Sequence, residues 1–194
     1  MKRLFLAGAS GVIGSRLVPL LLDAGYVVGA MTRSPAKAER LAKAGAQPIV
    51  CDVFDRPALF TAVHSFAPDV LLHELTDLPD TLDQLPADSP LNARIRSEGT
   101  RNLLDALDGL PRPRVIAQSV AWTMRPGSEA DAVATLEKSV LAVDGVVLRY
   151  GLLYGPHTYF EAEPPDGPRV HIDVAARRTV EAIDAAPGIV TIVE

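Results

Sequence analysis

The chain is predicted to be an α/β protein built on one doubly wound parallel sheet. Three observations predict this. Short apolar runs alternate with helical stretches along the whole sequence, the first such pair is joined by a glycine-rich turn, and 194 residues at 48% apolar suffice for one domain with a substantial core.

Arg3-Leu4-Phe5-Leu6-Ala7 is an apolar run ending at glycine, and Leu17, Leu20, Leu21 and Ala24 follow at helical spacing. That is a strand, a turn and a helix. Pro19 falls inside the helix, removes the bond to the Ser15 carbonyl and predicts a local bend. Ala24-Gly25 stops the helix, and residues 26–31 return as the second strand of a right-handed βαβ unit. The alternation continues with a helix over 35–44, a strand over 48–51, a helix over 57–66 and a strand over 69–73. Residues 76–90 are rich in Pro and Asp and read as a solvated loop, with a lid over a site as the alternative. A longer helix over 91–108 places Ile95, Gly99, Asn102, Leu103 and Ala106 on one face, and Gly109 suits its C-terminal cap. A strand over 114–119, a helix over 130–143, a strand over 146–149, a helix over 174–185 and a strand over 189–193 complete the chain. With no internal repeat and no second apolar cluster, residues 1–194 form one domain.

Composition excludes several functions. With 24 acids against 19 Lys plus Arg, the net charge of −5 has the wrong sign for unaided binding to nucleic acid. The single cysteine, Cys51, can form neither an internal disulfide nor a metal cluster, and no metal site is expected. The apolar run from Leu4 is interrupted by glycine too early for a signal peptide, and no stretch reaches the ~20 apolar residues of a membrane span. The expectation is a cytoplasmic protein without membrane contact.

The strongest local signal is Gly8-Ala9-Ser10-Gly11-Val12-Ile13-Gly14, lying between the first strand and the first helix. Gly8 permits the turn, Gly11 permits close approach to a pyrophosphate, and Gly14 permits tight packing of helix on strand. The helix N-terminus adds free N–H groups and a positive dipole end. A dinucleotide site is expected, with Ser10, Val12 and Ile13 in the cradle. Sites that hold NAD commonly carry an acid after the second strand, but here Thr32-Arg33-Ser34 stands there. A guanidinium pairs with a 2′-phosphate and accepts nothing from a hydroxyl, so NADP(H) is favoured over NAD(H). The plainer reading of Arg33 is an exposed loop cation.

These residues make the chain resemble the short-chain dehydrogenase/reductases, in the extended and atypical branches that include nucleotide-sugar epimerases and NmrA-like proteins. The resemblance covers nearly the whole chain. It also rests on Thr32-Arg33-Ser34-Pro35 with Lys37, Cys51-Asp52-Val53, His73-Glu74-Leu75-Thr76, Glu98-Gly99-Thr100-Arg101-Asn102-Leu103-Leu104, Gln118-Ser119, and 149–156, Arg-Tyr-Gly-Leu-Leu-Tyr-Gly-Pro. It implies a Rossmann-type fold in which Asp52 and Val53 meet the adenine, Leu75 and Thr76 line the ribose and phosphate path, and residues 150–153 approach the nicotinamide. For Asp52 a turn or helix-cap role is an equal alternative.

The resemblance also implies a Ser that polarises a carbonyl, a Tyr that moves the proton, and a Lys four residues beyond it, because hydride transfer builds charge on oxygen. Ser119 fits the first role. None of the four tyrosines, Tyr26, Tyr150, Tyr154 and Tyr159, has Lys four residues on. With Glu137 as the anchor, the Tyr place falls near Glu129 and the Lys place near Val133. Candidate replacements are Tyr150, Tyr154, His157 and Trp122, of which Tyr150 and His157 are taken with Ser119 as the catalytic candidates. His73 reads as a satisfied strand-end residue, His171 as part of a pocket rim, and Glu129 as part of a helix cap. Three readings follow: a divergent oxidoreductase or epimerase-like enzyme acting on a small molecule, a cofactor-binding sensor without turnover, or a non-redox isomerase, lyase or cyclase. Residues 160–173 are expected to be a residual flap of the substrate region. The second apolar edges at Leu104 and Leu107, and at Val140 and Leu141, suggest a homodimer by analogy.

Overall fold

The computed structural model describes residues 1–79, 81–84 and 89–194. The first unit is β1 (Arg3–Ala7), α1 (Gly14–Asp23) and β2 (Val27–Thr32), followed by α2 (Pro35–Lys43), β3 (Gln47–Val50), α3 (Arg56–Phe66) and β4 (Val70–His73). α1 is unbroken through Pro19. The long helix begins as α4 (Pro90–Arg94), widens into a π-helical turn (Ile95–Gly99) and continues as α5 (Thr100–Asp105). Regular helix therefore ends earlier than the spacing suggests, and hydrogen-bonded turns lead on to Gly109 at φ 84°. β5 (Arg114–Val120), α6 (Ser128–Leu141), β6 (Val146–Tyr150), β7 (Leu152–Tyr154), β8 (Arg169–His171), α7 (Ile172–Glu181) and β9 (Gly188–Ile192) follow.

Seven strands pair in the order β3-β2-β1-β4-β5-β6-β9, parallel at every junction. The order turns back after β3 and runs the other way from β4, so the crevice for a ligand lies beyond the carboxyl ends of β1 and β4. Strand alternation divides the core into two layers. Leu4, Leu6, Val70, Leu72, Ile116 and Leu148 face α1 and α7, while Phe5, Ala7, Leu71, Val115, Ala117 and Val147 face α3, α5 and α6.

Two features differ from expectation. The stretch 160–173 is more than a flap, because its residues Arg169 to His171 pair in parallel with β7 as a two-stranded sheet. Runs of three residues between glycines and prolines carry too little period-2 signal to be read beforehand. Val140, expected on a dimer edge, is fully buried in the α6 layer. Among the described residues no helix is long and apolar enough to cross a membrane.

Candidate cofactor and active site

The turn after β1 is shaped by steric closeness. Gly8 sits at φ 96°, and a Cβ there would lie 2.6 Å from the Glu74 carbonyl oxygen. A Cβ on Gly14 would lie 2.2 Å from the Gly8 oxygen. Only glycine fits either place. The Gly11 N–H donates to the Gly8 oxygen at 3.0 Å and closes the bend. The amides of Ser10, Val12, Ile13 and Gly14 find no main-chain acceptor among the described residues. Bare N–H groups at a helix N-terminus fit a pair of linked phosphates. Arg16 fastens the bend from behind, donating to Val12 O at 2.9 Å, Asp173 Oδ1 at 2.8 Å and Pro156 O at 2.6 Å.

The adenosine side is formed by the ends of β2 and β3. Thr32 is buried, its hydroxyl 2.9 Å from Ser10 Oγ and accepting from the Ser34 amide at 3.2 Å. Arg33 is exposed. Asp52 Oδ1 accepts from the Phe54 amide at 2.9 Å, which is the turn role weighed for it. Val53 is buried against Gly99. Leu75 is half-buried, with its carbonyl accepting from Gln118 Nε2 at 3.0 Å, and Thr76 is exposed.

At the other end of the crevice the hydroxyl of Ser119 donates to Glu137 Oε1 at 2.6 Å. Arg149 grips the same carboxylate with two bonds, 2.8 Å to Oε1 and 2.6 Å to Oε2. The Arg149 bonds hold the Glu137 carboxyl below its ordinary range, so it is a carboxylate that keeps the Ser119 proton. Trp122, Met124, Val133, Glu137 and Arg149 surround a cleft of about 290 Å³ at this point.

Tyr150 and His157 do not join Ser119. Ser119 pairs in register with Arg149, so Tyr150 one residue on faces the opposite side of the sheet. There Tyr150 is 3% exposed, its hydroxyl 3.0 Å from Glu74 Oε1 and 2.6 Å from Thr179 Oγ1. Tyr150 is thus corrected from proton donor to buried core residue, and burial raises its pKa well above the usual phenol value. His157 is exposed, at φ 66°, with its amide donating to Glu161. Tyr154 donates to Glu194 and stacks edge-on against His171, which caps α7 by accepting from the Asp173 amide.

His73 is the satisfied histidine expected. Its Nδ1 accepts from the Leu75 amide at 3.2 Å, leaving Nε2–H for Thr100 Oγ1 at 3.1 Å, and burial lowers its pKa to about 3. Glu129 does not cap α6, where Gly127 holds the cap position; its Oε1 accepts from Asn92 Nδ2 at 2.9 Å.

Three buried polar groups were not foreseen. Glu74 is 4% exposed with Oε2 unpartnered among the described residues, and burial pushes its pKa up to about 8. Arg96 is 6% exposed with Nε and Nη1 likewise unpartnered, close enough to feel Glu129 and Glu137. Asn92 is 2% exposed. Glu74 carried a signal, a charge directly after a strand buried on both faces. Arg96 carried none, since the π turn rotates it inward.

The doubly wound sheet, the switch in strand order and the bare amides at α1 define a dinucleotide-binding protein. A family profile described as NAD(P)H-binding matches residues 8–142, and the chain belongs to that NAD(P)H-binding family. A 3-diazoavenalumate denitrifying reductase from a Streptomyces species is 35% identical over 179 residues, 80% of this chain and 58% of that protein. A decarboxylating sterol-4-alpha-carboxylate 3-dehydrogenase from Dictyostelium discoideum is 33% identical over 73 residues, 38% of this chain and 22% of its own length. The chain thus spans little more than half of the first relative and under a quarter of the second. The solved UDP-glucose 4-epimerase of Thermus thermophilus in complex with NAD aligns at TM-score 0.78 and 20% identity, covering 98% of this chain and 77% of that one. A putative NAD-dependent epimerase/dehydratase from Bacillus halodurans aligns at 0.77 and 17%, covering 98% and 92%. The likeness to these epimerase and dehydratase structures holds for the fold.

Proposed function

We propose that the chain binds NADP(H) and reduces a small electrophile without protonating an alkoxide. One observation carries this reading: the Ser119 proton is held by the Glu137 carboxylate, itself ion-paired with Arg149, and α6 offers neither Tyr nor Lys at the cleft. A carbonyl reductase needs a donor aimed at the developing oxyanion. Here the Ser119 hydroxyl spends its proton on Glu137 instead.

When bound, the nicotinamide would supply a hydride. The amides of Ser10, Val12, Ile13 and Gly14 would hold the diphosphate, Arg33 would pair with the 2′-phosphate, and Val53 with Asp52 would border the adenine. Trp122, Met124 and Val133 form an apolar wall that excludes water and orients a flat substrate, and Arg149 keeps Glu137 charged. The denitrifying reductase related to this chain supports the reading, because a diazo group departs as dinitrogen and leaves no alkoxide to protonate.

The test is anaerobic incubation with NADPH deuterated at the transferable position, against aryl diazonium, enone and ketone substrates. Deuterium in the product, with Ser119→Ala retaining activity within about tenfold, supports the proposal, whereas loss of an oxyanion donor costs about 10²–10³ in kcat. An unlabelled product with cofactor retained supports isomerase or lyase chemistry. Tight binding with no product from any substrate supports a sensor. A homodimer through the α4–α5 and α6 surface is also proposed, resting on Leu91 at 61% and Leu141 at 37% exposure. Analytical ultracentrifugation should show a dimer that Leu141→Glu dissociates.

A further inference from the structure

β2 ends without an acid, but the structure brings a carboxylate to the same place from elsewhere. Asp77 Oδ1 lies 3.4 Å from Arg33 Nη2, with the two side chains 28% and 56% exposed. Asp77 belongs to the strap that leaves β4, and the strap is fastened on both sides of it. The Leu75 carbonyl accepts from Gln118 Nε2 at 3.0 Å, and the Pro79 carbonyl accepts from the Tyr159 hydroxyl. The Asp77 amide donates to Asn92 Oδ1 at 3.3 Å, and Asn92 is held in turn by Glu129. The carboxylate is positioned by these bonds as much as by its attraction to Arg33.

We infer that Asp77 sets the selectivity between the two nicotinamide dinucleotides. Its carboxylate occupies the guanidinium a 2′-phosphate requires, and it supplies the acceptor for a ribose 2′-hydroxyl that β2 lacks. A 2′-phosphate entering beside Arg33 meets a like charge a few ångströms away and must displace Asp77 to gain its own pair. A 2′-hydroxyl meets no such opposition. This rests on Arg33 being the 2′-phosphate residue. Asp77 tempers the preference for NADP(H) that Arg33 alone creates.

Calorimetric titration of the full chain with 2′,5′-ADP and with 5′-ADP separates the two claims. The native chain should bind 2′,5′-ADP more tightly, and Arg33→Ala should bring the ratio near one. Asp77→Asn and Asp77→Ala should each widen the ratio about tenfold by strengthening 2′,5′-ADP, leaving 5′-ADP unchanged or weaker, at unaltered Tm. A ratio lowered by Arg33→Ala but untouched by both Asp77 variants overturns the Asp77 assignment and leaves Arg33 in place. Equal binding of the two nucleotides by the native chain and by Arg33→Ala overturns both.

Discussion

Replacing Gly11 by Asp should lower affinity for NADPH by at least a hundredfold while leaving the protein as stable as before. Gly11 is exposed on the outer bend, and a Cβ there would lie 3.3 Å from the Gly8 oxygen, a contact relieved by a shift of a few tenths of an ångström. The new carboxylate would stand in front of the four unpaired amides. An acid at a helix N-terminus is favourable by about 0.3–1 kcal/mol, so the fold does not suffer. A diphosphate meets like charge and loses amide bonds worth about 1.5–3 kcal/mol each, and two such losses exceed a hundredfold in binding. Gly14→Ala provides the contrast. Its Cβ would be 2.2 Å from the Gly8 oxygen, so the helix must move off the strand and Tm must fall. Fluorescence titration with NADPH and a thermal melt of each variant check both statements, and unchanged affinity in Gly11→Asp would remove this turn from the binding site.

Glu74→Gln should abolish an alkaline loss of stability in the native chain. Tyr150 donates to Glu74 Oε1 at 3.0 Å, and its oxygen lies 2.6 Å from Thr179 Oγ1, whose hydroxyl donates to the Ala175 carbonyl at 2.7 Å. Burial outweighs the bond from Tyr150 and raises the Glu74 carboxyl from 4.5 to about 8. Because the folded-state pKa is raised, the native state binds more protons than the unfolded state between these values, and stability falls as pH rises through them. His73 has the opposite sign, since it is lowered from 6.5 to about 3 and costs stability as pH falls below 6.5. The two slopes cancel between pH 4.5 and 6.5. From pH 6.5 to 8 Glu74 acts alone, and the loss is roughly 2 kcal/mol. Gln keeps both the shape and an acceptor for the Tyr150 hydroxyl without a titrating group, so the variant should be level across that window and more stable than the native chain at its upper end. Urea midpoints at about pH 5.5, 6.5 and 8 measure this, and a persisting decline in the variant would show that Glu74 is not its source.

The sheet and the phosphate turn were legible because each is written locally. Leu4 and Leu6 alternate with Phe5 and Ala7, Gly8 and Gly14 mark two close approaches, and Gly25 ends the first helix. His73 was legible for the same reason, since a histidine at the end of a buried strand has its neighbours' hydrogen bonds within reach. The cleft beside Ser119 was not. Ser119, Glu137 and Arg149 come from three elements, and only the pairing of β5 with β6 under α6 brings them together. Tyr150 lies away from Ser119 because one step along a strand reverses the face, which puts it on the α7 side of the sheet. Asp77 meets Arg33 across 44 positions, a pairing no spacing rule anticipates.

The π turn at Ile95–Gly99 limits how this chain can vary in length. One surplus residue is wound into it, so α4 and α5 each keep their own inward face: Asn92 toward Asp77 and Glu129, Asn102 toward Val53 and Arg56. Deleting any single residue there would restore an ordinary helix and swing one half about 100° relative to the other. Either the strap or the β3 border would then lose its anchor. Insertions and deletions between Pro90 and Asp105 should therefore be tolerated far less than substitutions at the exposed positions of the same helix.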